Sequence, residues 1–220
     1  MSRLLPERLA ITLSPSEVSV GEKVLPCDDP LRLLQGMDLP RARATVILSN
    51  HYVRYALVPW SDQLAGDAEE AAYVRHHFAR IHGERTKAWS LRASPAPGGA
   101  PRLCSAIDTA LLEELKSTFK AKRARLVSVQ PALMAIFNRH RGAVPPAGAW
   151  LALAEPERAC VALHSEGRWH SVQSARGEWL DLLERERHRI GADVPNLVLL
   201  HARHPLSADA PGWKVERLAA

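Results

Sequence analysis

Cysteine is scarce in this chain. Cys27, Cys104 and Cys160 are its only three, far apart and odd in number, so neither a disulfide framework nor a paired-cysteine zinc site is expected. Long apolar runs are missing too. None approaches the roughly 18 residues that span a bilayer, and the opening Met1-Ser2-Arg3-Leu4-Leu5-Pro6 holds no apolar segment of a secretory leader. A soluble protein of the cytoplasm is the expectation. Glycine, at 12 residues, never falls into G-x-G-x-x-G or G-x-x-x-x-G-K-[ST], so two common phosphate cradles are absent. No G-x-S-x-G elbow supplies a nucleophile. Ten histidines are present, but His76, His77, His82, His201 and His204 have no carboxylate or thiol at H-E-x-x-H or C-x-x-C spacing. No catalytic, cofactor-binding or metal-binding residue is therefore assigned.

What is present fits a folded domain: 220 residues, 46% hydrophobic, 24% charged, with a formal charge of +5. The basicity is carried by 23 Arg against 6 Lys, interspersed with acids as in Glu184-Arg185-Glu186-Arg187-His188-Arg189, and this mixture describes a solvated surface better than a phosphate-binding stripe. One cluster stands out: Lys116, Lys120, Lys122, Arg123 and Arg125. Lys116 and Lys120, four residues apart, share a helix face, and cations there offset the helix dipole. An acidic protein or an anionic lipid surface suits the rest of the cluster; no aromatic platform interleaves with it, so nucleic acid is not the expected partner. Half of the 12 aromatic residues are tryptophan. Trp60, after Pro59, and Trp213, after Pro211-Gly212, sit in loop-like places, each a lid over the core or an interface anchor.

The order of elements is regular. Strands are expected over 8–13, 17–20 and 23–25, then a short helix capped by Asp28-Asp29-Pro30. A buried strand 45–48 and a strand 52–58 follow. Ala71, Val74, Phe78 and Ile81 form a stripe on a helix over 67–82 that Gly83 stops. Strands near 87–93 and 102–107 are joined by a long Pro- and Gly-rich loop, and a helix capped by Asp108 carries Leu111, Leu112, Leu115 and Phe119 inward. After strand 126–129 and a helix opened by Pro131, Gly142–Gly148 is the boundary. The pattern then restarts, with strands 150–154, 159–163 and 169–172, a helix 176–190 and a strand 197–200. Two such units predict an α/β protein of two related lobes, 1–142 (with a strand-helix-strand insertion near 45–107) and a shorter 149–220.

Several stretches resemble a known family: Tyr52-Val53-Arg54-Tyr55-Ala56-Leu57-Val58-Pro59-Trp60, the acidic helix start Asp67-Ala68-Glu69-Glu70-Ala71, Leu103-Cys104-Ser105-Ala106-Ile107-Asp108, Leu126-Val127-Ser128-Val129-Gln130-Pro131-Ala132-Leu133, and the restart at Trp150. These resemble the actin-like cytoplasmic assembly proteins of type IV pili, the PilM family, and the cytoplasmic part of the type II secretion L protein. The resemblance implies a truncated actin-like (ribonuclease H-like) fold of two mixed-sheet lobes. It also implies a scaffold peripheral to the inner membrane, gripping the cytoplasmic tail of a bitopic assembly protein near a motor ATPase; a homodimer is compatible with it. Actin-like members hold ATP with an acidic residue and glycines in the first hairpin of each lobe. Here those hairpins read Leu13-Ser14-Pro15-Ser16-Glu17 and Ala154-Glu155-Pro156-Glu157-Arg158. Neither has glycine, and each proline removes an amide donor, so no bound cofactor is expected. The expected role is a non-enzymatic adaptor with Arg54, Trp60, Lys116, Lys120 and Arg123 as candidate partner-binding residues. An actin-like ATPase with atypical loops is the alternative, and a basic nucleic-acid-binding protein a weaker one.

Overall fold

A computed structural model describes residues 7–64, 66–191 and 193–219. It is divided into two compact units. One takes the chain up to Val53 together with Ile107–Ala135; the other takes Arg54–Ala106 and Ile136–Ala220.

The first unit is built on a five-stranded sheet. β1 (Glu7–Ser14), β2 (Glu17–Val20) and β3 (Lys23–Pro26) form an antiparallel meander, and β4 (Ala42–Leu48) and β8 (Arg125–Pro131) extend it in parallel, in the order β3-β2-β1-β4-β8. Helix α1 (Pro30–Gly36) begins where Asp29 Oδ1 accepts the Arg32 amide at 3.0 Å with Pro30 at the first helical position, satisfying an otherwise orphaned donor. Helix α3 (Thr109–Lys120) is capped in the same way by Asp108, which accepts the Ala110 amide at 2.8 Å. Period-2 alternation in the central strands buries Ile11, Leu13, Ala44, Val46 and Leu48, and Leu115 and Phe119 of α3 are buried with them.

The second unit repeats the topology. β9 (Ala149–Glu155), β10 (Arg158–Ser165) and β11 (Arg168–Arg176) form the meander, with β12 (Leu197–Ala202) and β13 (Lys214–Arg217) parallel, in the order β11-β10-β9-β12-β13. The sequence pattern did not reveal β13, because its four residues, Lys-Val-Glu-Arg, are mostly exposed and carry no apolar run. Helix α4 (Ala132–His140) precedes these strands in the chain, and helix α5 (Trp179–Ile190) buries Trp179, Leu182 and Leu183 beside Trp150, Val161, Val198 and Trp213. Trp213 is thus the core lid of the two expected roles. Its ring meets Trp150 edge-on at 6.3 Å, and its Nε1 donates to Glu184 Oε1 at 2.5 Å.

The same unit holds a three-stranded sheet in the order β5-β7-β6, from β5 (Val53–Val58), β6 (Trp89–Ala93) and β7 (Arg102–Asp108), with helix α2 (Asp67–His82) packed on it. The expected stripe of α2 is narrower than its spacing suggested. Val74 and Phe78 are buried, but Ala71 is exposed and Ile81 is 58% exposed. A small sheet covers only a short arc of the helix, and His82 takes the place expected of Ile81, stacking on Phe78 at 6.1 Å and meeting Trp89 edge-on at 5.1 Å. Gly83, at φ +64°, ends the helix as expected.

Candidate functional site

The α2 sheet carries a groove of about 610 Å³ at the corner where β5 ends. The strand stops just before Pro59, and Trp60, which follows, is 43% exposed. Trp60, Leu64 and Leu91 supply apolar wall, and Tyr73 of α2 closes another side. Charge lies beside the tryptophan in the same groove: the Arg102 guanidinium is 5.9 Å from its ring centroid, and Glu70 accepts from Arg102 in a two-pronged pair at 2.5 and 3.0 Å. Such a fork fixes the plane of the guanidinium as well as its position. The rim is anchored by Arg75, whose Nη1 donates to the Thr86 carbonyl at 2.9 Å, while Thr86 Oγ1 closes back on Gly83. An exposed tryptophan held by an arginine beside a tyrosine is the composition that carries most of the energy in protein recognition.

The five candidate residues fall in three places. Trp60 lines the groove. Arg54, on β5, is half-buried outside it; burial and the nearby Arg158 lower its pKa. Arg54 in turn adds to burial in lowering the pKa of His82. Lys116, Lys120 and Arg123 belong to the other unit. Lys116 pairs with Glu113 at 2.7 Å across one helical turn, and Lys120 is exposed at the end of α3. Lys122, from the same cluster, donates to the carbonyls of Gln35 and Met37 at 3.0 and 2.7 Å, closing the C-terminal end of α1, where a cation is favoured. Arg123 instead lines a second groove, of about 640 Å³, with Arg41, Arg43 and Arg125. Glu70, Tyr73, Leu91 and Arg102 also line the groove and are not marked as site residues by the sequence alone. Only the acidic first turn of α2 hinted at Glu70, since the partner, Arg102, is brought to it by sheet pairing.

The two hairpins expected to matter for nucleotides are tight turns. Ser14 Oγ donates to the Glu17 carbonyl at 3.3 Å across Pro15-Ser16. At Pro156-Glu157 the backbone places Glu157 at φ +59°, a conformation glycine adopts without cost.

No family model matches the sequence, and no curated protein matches it. Solved structures do. The cytoplasmic domain of EpsL, an inner-membrane component of the type II secretion system of Vibrio cholerae, superposes with a TM-score of 0.66 at 12% identity, covering 97% of this chain and 90% of that one. The PilM–PilN type IV pilus biogenesis complex gives 0.60 at 12% identity over 90% and 81% of the chains. A Bacteroides thetaiotaomicron protein described as having an actin-like ATPase fold and unknown function gives 0.59 at 10% identity over 91% and 83%. These likenesses, together with the two sheets of identical strand order, establish that the chain has the actin-like fold.

Proposed function

We propose that this protein is a non-enzymatic scaffold of an inner-membrane assembly platform of the secretion or pilus kind. On this reading the Trp60 groove receives the short cytoplasmic tail of a bitopic membrane protein. The observation that carries it is the exposed Trp60, preset over a mixed apolar and charged groove by the Arg102–Glu70 pair. A preset anchor lowers the ordering cost of binding an extended segment. The likeness to the EpsL cytoplasmic domain and to PilM, the latter solved together with PilN, supports a place beside the membrane. On this reading the chain sits at the cytoplasmic face through its partner, within reach of a motor ATPase. Pro15 and Pro156, which carry no amide hydrogen for a phosphate, support the non-enzymatic half of the proposal.

The test is fluorescence anisotropy with labelled peptides copied from the cytoplasmic tails of bitopic inner-membrane proteins of the same cell. Removing a central aromatic anchor costs about 2 kcal/mol or more, so Trp60→Ala is expected to weaken the best-bound tail about 30-fold. Undiminished binding by Trp60→Ala and Arg102→Ala would refute the groove assignment. Micromolar binding of Mg-ATP in calorimetry would replace the scaffold with an actin-like nucleotide-binding protein.

A further inference from the structure

The second groove is one corner of a larger feature. β1, β4 and β8 run parallel, and their register sets Arg8 opposite Arg43 and Arg43 opposite Arg125. Residues opposite each other on neighbouring strands share a face, with the strands about 4.8 Å apart, so three guanidinium side chains form a row across the sheet. Arg41 and Arg123, two residues earlier on the chains of β4 and β8, line the same groove as Arg43 and Arg125. All five arginines are exposed, while the alternate residues Ala42 and Ala44 are buried. Among the described residues none of the five makes an ion pair, and no side-chain hydrogen bond is made by any of them. Like charges directly opposite across strands destabilise a sheet. A row of them that makes no ion pair among the described residues suits an anion from outside.

The form of the patch selects the kind of anion. An acidic peptide adding itself as a strand would need a regular edge on β8, yet the register slips between Ala44 and Thr45, leaving Val127 as an extra residue; such a bulge interrupts a ladder. A peptide lying in the groove would find no aromatic anchor, only Ala42, Leu126 and Val127 among the arginines, unlike the Trp60 groove. Nucleic acid would likewise lack a stacking platform. What remains is a two-dimensional array of guanidinium groups, each able to take a phosphate with two hydrogen bonds, beside a Val127 side chain that is 42% exposed. We propose that this face of the first sheet lies against an anionic membrane surface, with Arg8, Arg41, Arg43, Arg123 and Arg125 meeting lipid phosphates. The proposal does not rest on the tail-binding reading, whose groove belongs to a different sheet.

The experiment is co-sedimentation of the full chain with vesicles of phosphatidylcholine alone or mixed with phosphatidylglycerol, at low and high salt. Binding is expected only to the mixed vesicles and is expected to fade with salt. At the strength ordinarily found for one basic residue near such a surface, Arg43→Gln with Arg125→Gln should weaken it about 30-fold. That double variant removes a like-charge neighbour pair, so its thermal midpoint should hold or rise, which separates lost binding from lost folding. Arg80→Gln with Arg176→Gln, an equal loss of charge elsewhere, should bind as the parent does, and so should Trp60→Ala. Absence of binding to the mixed vesicles, or equal losses in the two double variants, would overturn the proposal. So would Arg43- and Arg125-dependent binding of polyglutamate or duplex DNA without vesicle binding.

Discussion

Arg189→Met probes a buried carboxylate that bridges helix and sheet in the second unit. Glu186, on α5, is 4% exposed. It accepts from the Ser171 hydroxyl on β11, from Arg189 Nε at 2.8 and 3.0 Å, and from Arg189 Nη2 at 2.7 Å. Burial alone would raise its pKa. The hydrogen bonds from Arg189 and Ser171, with the charges of Arg189 and Arg185, reverse that and hold it below the ordinary carboxylate value. Breaking a buried charge pair costs about 3–5 kcal/mol, but the Arg189 side chain is 57% exposed and solvent screens its half of the interaction. We therefore expect a loss of about 2 kcal/mol at neutral pH.

The sign of the pH dependence makes the test specific. In the parent the depressed native pKa contributes stability above the unfolded carboxylate pKa, and this is lost as pH falls through the native value. In Arg189→Met burial wins, the native pKa rises above the unfolded one, and the penalty disappears on acidification. The gap between parent and variant should therefore be widest at neutral pH and narrow toward about pH 4. Urea unfolding followed by tryptophan fluorescence reads it, since Trp150, Trp169, Trp179 and Trp213 are all buried in the same unit. A gap independent of pH, or below the roughly 0.5 kcal/mol of ordinary surface changes, would refute the reasoning.

Gly148→Ala should be among the most damaging single changes. The residue sits at φ +94°, and an added Cβ would lie 2.3 Å from Ser165 Cβ and 2.9 Å from the His164 carbonyl oxygen, so a loss of about 2–4 kcal/mol is expected in urea unfolding. Glu157→Gly should go the other way. Relief of its positive φ is expected to stabilise by about 0.5–1 kcal/mol, raising the urea midpoint. Thiol titration of the native protein should label Cys27 alone, and slowly, because burial and then Asp28 and Asp29 raise its pKa. Cys104 and Cys160 are buried, with burial pushing Cys104 up to about 12, and both should react only on unfolding.

Much of the architecture was legible in the chain because it is written locally. Alternation and short apolar runs marked the meanders, Asp29 and Asp108 marked helix starts through their affinity for free amides, and Gly83 marked an end through its positive φ. Those signals depend on neighbours within a few residues, so the repeated order of strands and helices along the chain was visible without a structure. Other properties depend on which strands pair. The polar β13 became a strand only by adding to β12, and Ile81 lost its expected place to His82 because a three-stranded sheet covers a narrow arc of α2. Arg102 met Glu70 and Trp60 through the fold. The basic cluster at 116–125 dispersed for the same reason: Lys122 closed α1 and Lys116 paired with Glu113, while Arg123 and Arg125 joined Arg8, Arg41 and Arg43. Composition and periodicity determine which elements form and which face each buries. The row of arginines required parallel register between strands far apart in sequence, and register is set by the burial of whole faces rather than by local sequence.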